Sequence, residues 1–308
     1  MQEVLGANSV KAKPEVRAVA REAARRAKKA APVRWQFMER AQPDGPSPAL
    51  ARILRGDKAG RRGGGRGGEV RLKLLLSMLW MIRDPAPVLT VPSRAWASLL
   101  GLDDPAGRGT RRINEAIAWL ADAGFLVTDK ETGSIKRLIT MRDETGADRL
   151  YELPGAVLRG LGPKDVRRAE HFYIQVPAGF WTNGWISLLS GAATSMLLLL
   201  LRLQANRPTG TELWFSPGDA KERFDLSDDT RSKGLRELTM AGLITMERRA
   251  VDPTSFEYER VRNVYVLQRD RLDMPARILT DYDLAPWWGV AADIDTKAAD
   301  DDTKLRQT

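Results

Sequence analysis

The sequence predicts a mainly α-helical chain with small β-hairpins, of the α+β class, in which one supersecondary unit occurs twice. A long apolar helix, a short extended segment, two further helices and a hairpin follow one another in the same order in both halves. Of the 308 residues 43% are hydrophobic, enough to bury sizeable cores. Cysteine is absent, so disulfides, thiolate metal sites and thiol nucleophiles are excluded. The expected organisation is a flexible basic N-terminal arm and Gly/Arg linker at 1–69, partly helical and largely disordered. A first unit at 70–150, a linker at 151–171, a second unit at 172–270 and an acidic tail at 271–308 follow.

In the arm, Pro14 to Ala31 has a helix start at Pro14 and small apolar residues at helical spacing (Val16, Val19, Ala23, Ala27, Ala30). Arg17, Arg21 and Arg25 line another face. The stretch Arg55 to Gly68 is Gly/Arg-rich and lacks the Gly-Lys-Ser/Thr of a phosphate-binding loop. Residues 1–69 hold 16 basic and 7 acidic side chains, an excess of +9 that equals the net charge of the whole chain. The arm reads either as a solvated tether or as a nucleic-acid-contacting segment.

The first unit opens with an apolar helix at Val70–Ile82, the second with one at Trp185–Ala205. Extended segments at Val88–Val91 and Glu212–Phe215 run into Pro92 and Pro217. Ser216 and Asp219 form a capping box around Pro217, so a helix starts there. Leu102 then corresponds to Leu226, Thr110-Arg111 to Thr230-Arg231, and Ala123-Gly124-Phe125-Leu126 to Ala241-Gly242-Leu243-Ile244. The offset drifts only from 125 to 118. Gly124 and Gly242 suit the left-handed position that ends a helix. Hairpins are expected from Phe125–Thr128 with Ile135–Met141, and from Leu243–Arg249 with Phe256–Leu267.

This order resembles the winged helix-turn-helix fold, twice over about two thirds of the chain. Ser232-Lys233-Gly234-Leu235-Arg236-Glu237-Leu238 through Ile244 is similar to the recognition helix and first wing strand of bacterial winged-helix transcriptional regulators. Glu115 stands in the first copy where the second has Lys233. Phe172-Tyr173-Ile174-Gln175-Val176-Pro177, followed by Leu188-Leu189-Ser190 and a leucine-rich helix, resembles the winged-helix domain of plasmid replication initiators.

The resemblance implies sequence-specific binding of double-stranded DNA, with each third helix in a major groove. Carried over, the contacts of the first copy are Arg108, Thr110, Arg111, Arg112 and Asn114, with wing residues Lys130, Lys136 and Arg137. Those of the second are Thr230, Arg231, Ser232, Lys233 and Arg236, with Arg248 and Arg249, and Arg260 and Arg262 add charge to that wing. Arg is suited to guanine, Asn to adenine, and Ser or Thr to phosphate. The process implied is replication initiation or control of a plasmid or mobile element. The alternatives are a transcriptional regulator and, from another class, a protein-interaction module that binds no DNA. A second copy of the chain, or a replication or transcription protein, is the further partner expected.

No paired acids, metal ligands or activated tyrosine emerge, so neither an enzyme nor a cofactor is expected. The lone His171 reads as structural or solvated. Trp80, Trp96, Trp119, Trp185 and Trp214 are assigned to cores, and Leu197–Leu201 to burial on more than one side. One of Asp228 and Asp229 is expected to cap the second recognition helix. The acidic tail is expected to be disordered at its tip, with Trp287-Trp288 docked on the protein or bound to a partner. No signal peptide or bilayer-length apolar run is present, so a cytoplasmic location without membrane contact is expected.

Overall fold

The computed structural model describes residues 8–58, 61–62, 67–83, 87–130, 137–250 and 261–280. Its architecture is mixed α+β, with helices and small antiparallel sheets. Two units are distinguished, Lys11–Ile278 and a smaller one formed by Met1–Val10 with Leu279–Thr308. Within the smaller unit the Thr280 N–H and hydroxyl both donate to the Asn8 carbonyl. The tail from 281 onward, including Trp287-Trp288, lies outside the described residues.

After β1 (Ser9–Lys11), helix α1 (Pro14–Ala24) starts at the proline and buries Val16 and Ala20. It stops short of Ala31 because Ala30–Arg34 forms strand β2 instead. Helices α2 (Trp35–Met38) and α3 (Ala49–Arg55) and the two-residue strands β3 (Asp57–Lys58) and β4 (Arg61–Arg62) follow. A largely disordered arm is therefore incorrect for 11–56, where Val33, Phe37, Met38, Leu50 and Ile53 are fully buried. The apolar residues here are too scattered to define an independent core, but they bury area against helices supplied by the rest of the chain.

The first copy consists of α4 (Gly68–Met81), β5 (Val88–Leu89), α5 (Ser93–Leu99), α6 (Arg108–Asp122), β6 (Leu126–Lys130) and β7 (Arg137–Met141). Its antiparallel sheet has the order β5-β7-β6, with Leu126 opposite Met141 and Lys130 opposite Arg137. Helix α7 (Pro154–Gly160) and a 3-10 turn at Val166–His171 lead to β8 (Tyr173–Pro177).

The second copy begins with α8 (Gly179–Thr182) and α9 (Trp185–Leu188), then α10 (Gly191–Gln204). The expected helix Trp185–Ala205 is thus broken, because the Ser190 side chain accepts the Ala193 N–H and starts a new helix. Next come α11 (Pro217–Glu222), α12 (Asp228–Met240), β9 (Ile244–Ala250), β10 (Val261–Leu267) and finally β11 (Arg277–Leu279). The Ser216–Asp219 capping box forms in both directions. Gly124 at φ 82° and Gly242 at φ 67° end α6 and α12. Of the segment Glu212–Phe215 only Leu213 pairs, with Tyr265.

The two copies share packing rather than standing apart on a linker. Helix α10, with Leu197–Leu201 buried, lies against α4, α12 and β8. The Trp80 and Trp181 rings stack at 4.6 Å, and their indole N–H groups donate to Lys28 O and Ser77 Oγ. Strand β2 pairs antiparallel with β8, Ala30 opposite Pro177 and Arg34 opposite Tyr173. Trp80, Trp96, Trp119 and Trp185 are buried as expected, whereas Trp214 is 48% exposed and carries the Arg262 guanidinium on its face.

At the end of β2 a charged cluster is enclosed. Arg34 is fully buried; it donates to Glu144 Oε2 at 2.6 Å and to the Glu152 carbonyl at 2.7 Å, beneath the Tyr151 ring. Its Nε lies 3.4 Å from His171 Nδ1. Burial opposes the Asp143 charge, but Arg34, Thr145 and Arg149 outweigh it and hold that carboxyl below its ordinary range. Burial raises the Glu144 carboxyl and pushes the Tyr151 hydroxyl well up.

Arg34→Ala should destabilise the protein by about 3–5 kcal/mol, because Glu144 is then buried without its partner; urea unfolding measures this. His171 is held below the ordinary value of 6.5 by burial and then by Arg34 and Arg149, against the pull of Glu170 and Asp143. A guanidinium only donates, so His171 Nδ1 must be unprotonated to accept from it. As pH falls below 6.5 the unfolded chain binds the proton more readily than the folded one, so this group's contribution to stability is lost. His171→Gln should flatten the decline in unfolding midpoint between about pH 7 and pH 5, relative to the unsubstituted protein.

Candidate nucleic-acid interface

The start of α6 is organised by two exposed acids of the preceding loop. Asp104, at φ 48°, accepts the N–H groups of Arg108 at 2.9 Å and Gly107 at 3.1 Å. These two bonds, and to a lesser degree the nearby Arg108 charge, hold its carboxyl below the ordinary range. Asp103 faces Lys13 at 3.5 Å. Beyond the Arg108 N–H that Asp104 accepts, the helix carries cations: Arg108, Arg111 and Arg112 are exposed. Arg111 lies 3.5 Å from Glu115, whereas Arg108 and Arg112 form no ion pair among the described residues.

Thr110 does not act as an outward hydroxyl, since it donates to the Pro105 carbonyl at 2.7 Å. Asn114 is half-buried at the junction of three elements, where Oδ1 accepts from Ser93 Oγ at 2.8 Å and from Arg137 Nη1 at 3.1 Å. Strand β7 is therefore tied to α6 and α5 through one amide. Arg94, exposed beside Ser93 on α5, extends the same face and was missed by sequence reasoning. Its position in the first turn of a helix preceding a candidate recognition helix was the available signal. Lys130 closes β6 opposite Arg137, and Lys136 lies outside the described residues.

The second copy places its candidates differently. Ser227, not Asp228 or Asp229, caps α12, accepting the Thr230 N–H at 3.2 Å. The two aspartates lie in the first turn, where the helix dipole favours them, and hold the neighbouring cations. Asp229 meets Lys233 at 2.9 Å, and Asp228 meets Arg231 at 3.3 Å. The Arg231 side chain is only 11% exposed, so its expected place in an outward face is corrected. Thr230 and Ser232 are half-buried, and the Thr230 and Ser227 hydroxyls bond each other at 2.9 Å. Gly234 packs against α10, where a Cβ would lie 2.5 Å from the Ala192 carbonyl oxygen. Arg236 is exposed. On β9, Arg248 is half-exposed, and Arg249 pairs with Glu212 at 2.9 Å and Glu247 at 2.6 Å.

The turn before α12 is clamped by the arm. Asp225, at φ 52°, accepts from Arg55 Nη2 at 2.9 Å and from the Ser47 hydroxyl, with Arg40 Nη2 at 3.4 Å. Arg40 also donates from its backbone N–H to the Arg223 carbonyl and from Nε to the Glu222 carbonyl. Burial opposes the Asp225 charge, but Ser47, Arg55 and Arg40 together hold its carboxyl below the ordinary range. A groove of about 610 Å³ beside α12 runs from Lys233, Arg236 and Met240 to the start of α10. There the free N–H groups are already taken by carboxylates: Glu237 accepts from Ser190 and Glu69 from Gly191.

Among the described residues no group of His, Asp or Glu side chains is arranged to hold a metal ion. Among the same residues no helix is long and apolar enough to cross a membrane. The chain matches no protein-family model, no curated protein and no solved structure.

Asp225→Asn keeps a residue tolerant of positive φ but removes the charge that Arg40 and Arg55 bind. It should lower stability by about 1–2 kcal/mol, read as a shift of the urea midpoint at unchanged m-value.

Proposed function

We propose that the protein binds double-stranded DNA as a tandem winged-helix protein, with the first copy as the principal reader. The observation that carries this reading is the cationic face around α6. Arg94, Arg108 and Arg112 are exposed and form no ion pair among the described residues, Arg111 stands beside them, and Arg137 joins from the wing strand. The nearby aspartates are engaged in capping α6 or in pairing Lys13. A helix start and an adjacent wing, both rich in donors, fit a major groove and its flanking phosphates.

The second copy contributes less to DNA contact in this reading. Its recognition helix begins with Asp228 and Asp229, and Lys233 and Arg231 are held by them. Arg236 and Arg248 remain as its outward cations. Replication initiation or control on a plasmid or mobile element is the proposed process. In support, strand β8 ends at Pro177 and leads to the Ser190-capped, leucine-rich α10, the segment that carries the resemblance to replication initiators.

The test is duplex binding by fluorescence anisotropy over a range of salt concentrations. Arg108→Ala/Arg112→Ala should weaken binding and reduce the slope of log K against log salt by about 2, as two phosphate neutralisations are lost. Lys233→Ala/Arg249→Ala should change the slope little, because both cations are already paired. Duplex affinity and salt slope unchanged by the first pair would overturn the reading.

A further inference from the structure

We infer that the first copy selects guanine, and that Asn114 reads a guanine edge rather than adenine; this rests on the DNA-binding reading above. Asparagine pairs with adenine by accepting from N6 through Oδ1 while donating to N7 through Nδ2. Here Oδ1 is already spent, receiving hydrogens from Ser93 Oγ at 2.8 Å and Arg137 Nη1 at 3.1 Å. The orientation of the amide follows from chemistry, since a guanidinium has no acceptor and only the oxygen can face it. Both oxygen lone pairs are occupied. The amide nitrogen has no hydrogen-bond partner among the described residues and offers two donors.

The neighbouring arginines have the same polarity. Arg108, Arg111 and Arg112 are donors only. Two exposed carboxylates stand beside them, Asp104, which accepts two backbone N–H groups, and Glu115, which faces Arg111. Of the four bases, guanine alone presents two hydrogen-bond acceptors, N7 and O6, and no donor in the major groove. Adenine pairs an acceptor with a donor, cytosine presents a donor, and thymine presents one acceptor beside a methyl group. The donors of the Asn114 amide and of these arginines fit a guanine edge best.

Selection of bound duplexes from a random-sequence library tests this with the full chain, Asn114→Ala and Ser93→Ala/Arg137→Ala. The unsubstituted protein should enrich sites with neighbouring guanines on one strand. Asn114→Ala should lose about tenfold discrimination at one guanine and keep the preferences at the other positions. The double variant frees Oδ1, so adenine should rise at that same position until it rivals guanine. Adenine preferred there by the unsubstituted protein, a consensus indifferent to Asn114→Ala, or a double variant that still demands guanine would each overturn the inference and leave DNA binding standing. Absence of enrichment with all three proteins would overturn both.

Discussion

A guanidinium at zero exposure persists only if its counter-charge and acceptors are brought with it, and Arg34 draws them from distant parts of the chain. Glu144 and the Glu152 carbonyl come from the segment after the first hairpin, and His171 comes from the turn before β8. Strand β2 itself pairs with β8, which leads into the second copy. The region between the copies is thereby closed into the same packed body as the arm. The stacked Trp80 and Trp181 continue that closure from α4 to α8. Removing one partner would leave a charge without compensation in a place that water does not reach.

That closure also separates the two copies in their chemistry. They share a long apolar helix, two further helices, the glycine helix stops and a pair of antiparallel strands, yet their outward helix faces differ. In α12 the acids lie in the first turn and pair forward with Arg231 and Lys233, the favourable orientation for a helix. In α6 the first turn is basic, and the carboxylate that accepts the Arg108 N–H, Asp104, belongs to the preceding loop. The cations of α6 are thus left facing outward. The turn before α12 is in addition held by Arg40, Ser47 and Arg55. The arm packs on both copies, through α1 against α5 in the first and through Arg40, Ser47 and Arg55 at the turn before α12 in the second.

What the sequence makes legible is what local chemistry decides. The Ser216–Asp219 capping box, the left-handed glycines at 124 and 242 and the two hairpins each depend on a few adjacent residues, and each appears where expected. The break at Ser190 was less visible, because leucines and tryptophans continue at helical spacing on both sides of it. The arm was illegible for another reason. Phe37, Leu50 and Ile53 gain their burial from helices that begin later in the chain, and no window of the arm shows that. The candidate interface was legible as residue types but not as roles. Thr110 and Asn114 were found, yet the Pro105 carbonyl, Ser93 and Arg137 that occupy them are fixed only by the tertiary arrangement.

The distribution of charge makes the same distinction quantitative. Residues 1–69 carry an excess of +9, which invites a picture of a free polycationic tail. Arg34 is buried in an ion pair, and Arg40 and Arg55 are committed to Asp225, so part of that charge is structural. At physiological salt a charge acts over roughly 8 Å, so a phosphate responds to the cations beside it rather than to the sum over a segment. Residues 70–150, which contain Arg94, Arg108, Arg111, Arg112 and Arg137, hold 12 basic and 10 acidic side chains, so the segment's net charge is small. Asp104 binds two backbone N–H groups, Asp103 faces Lys13 and Glu115 faces Arg111, and the electrostatic attraction of this protein for a polyanion is set by that local balance.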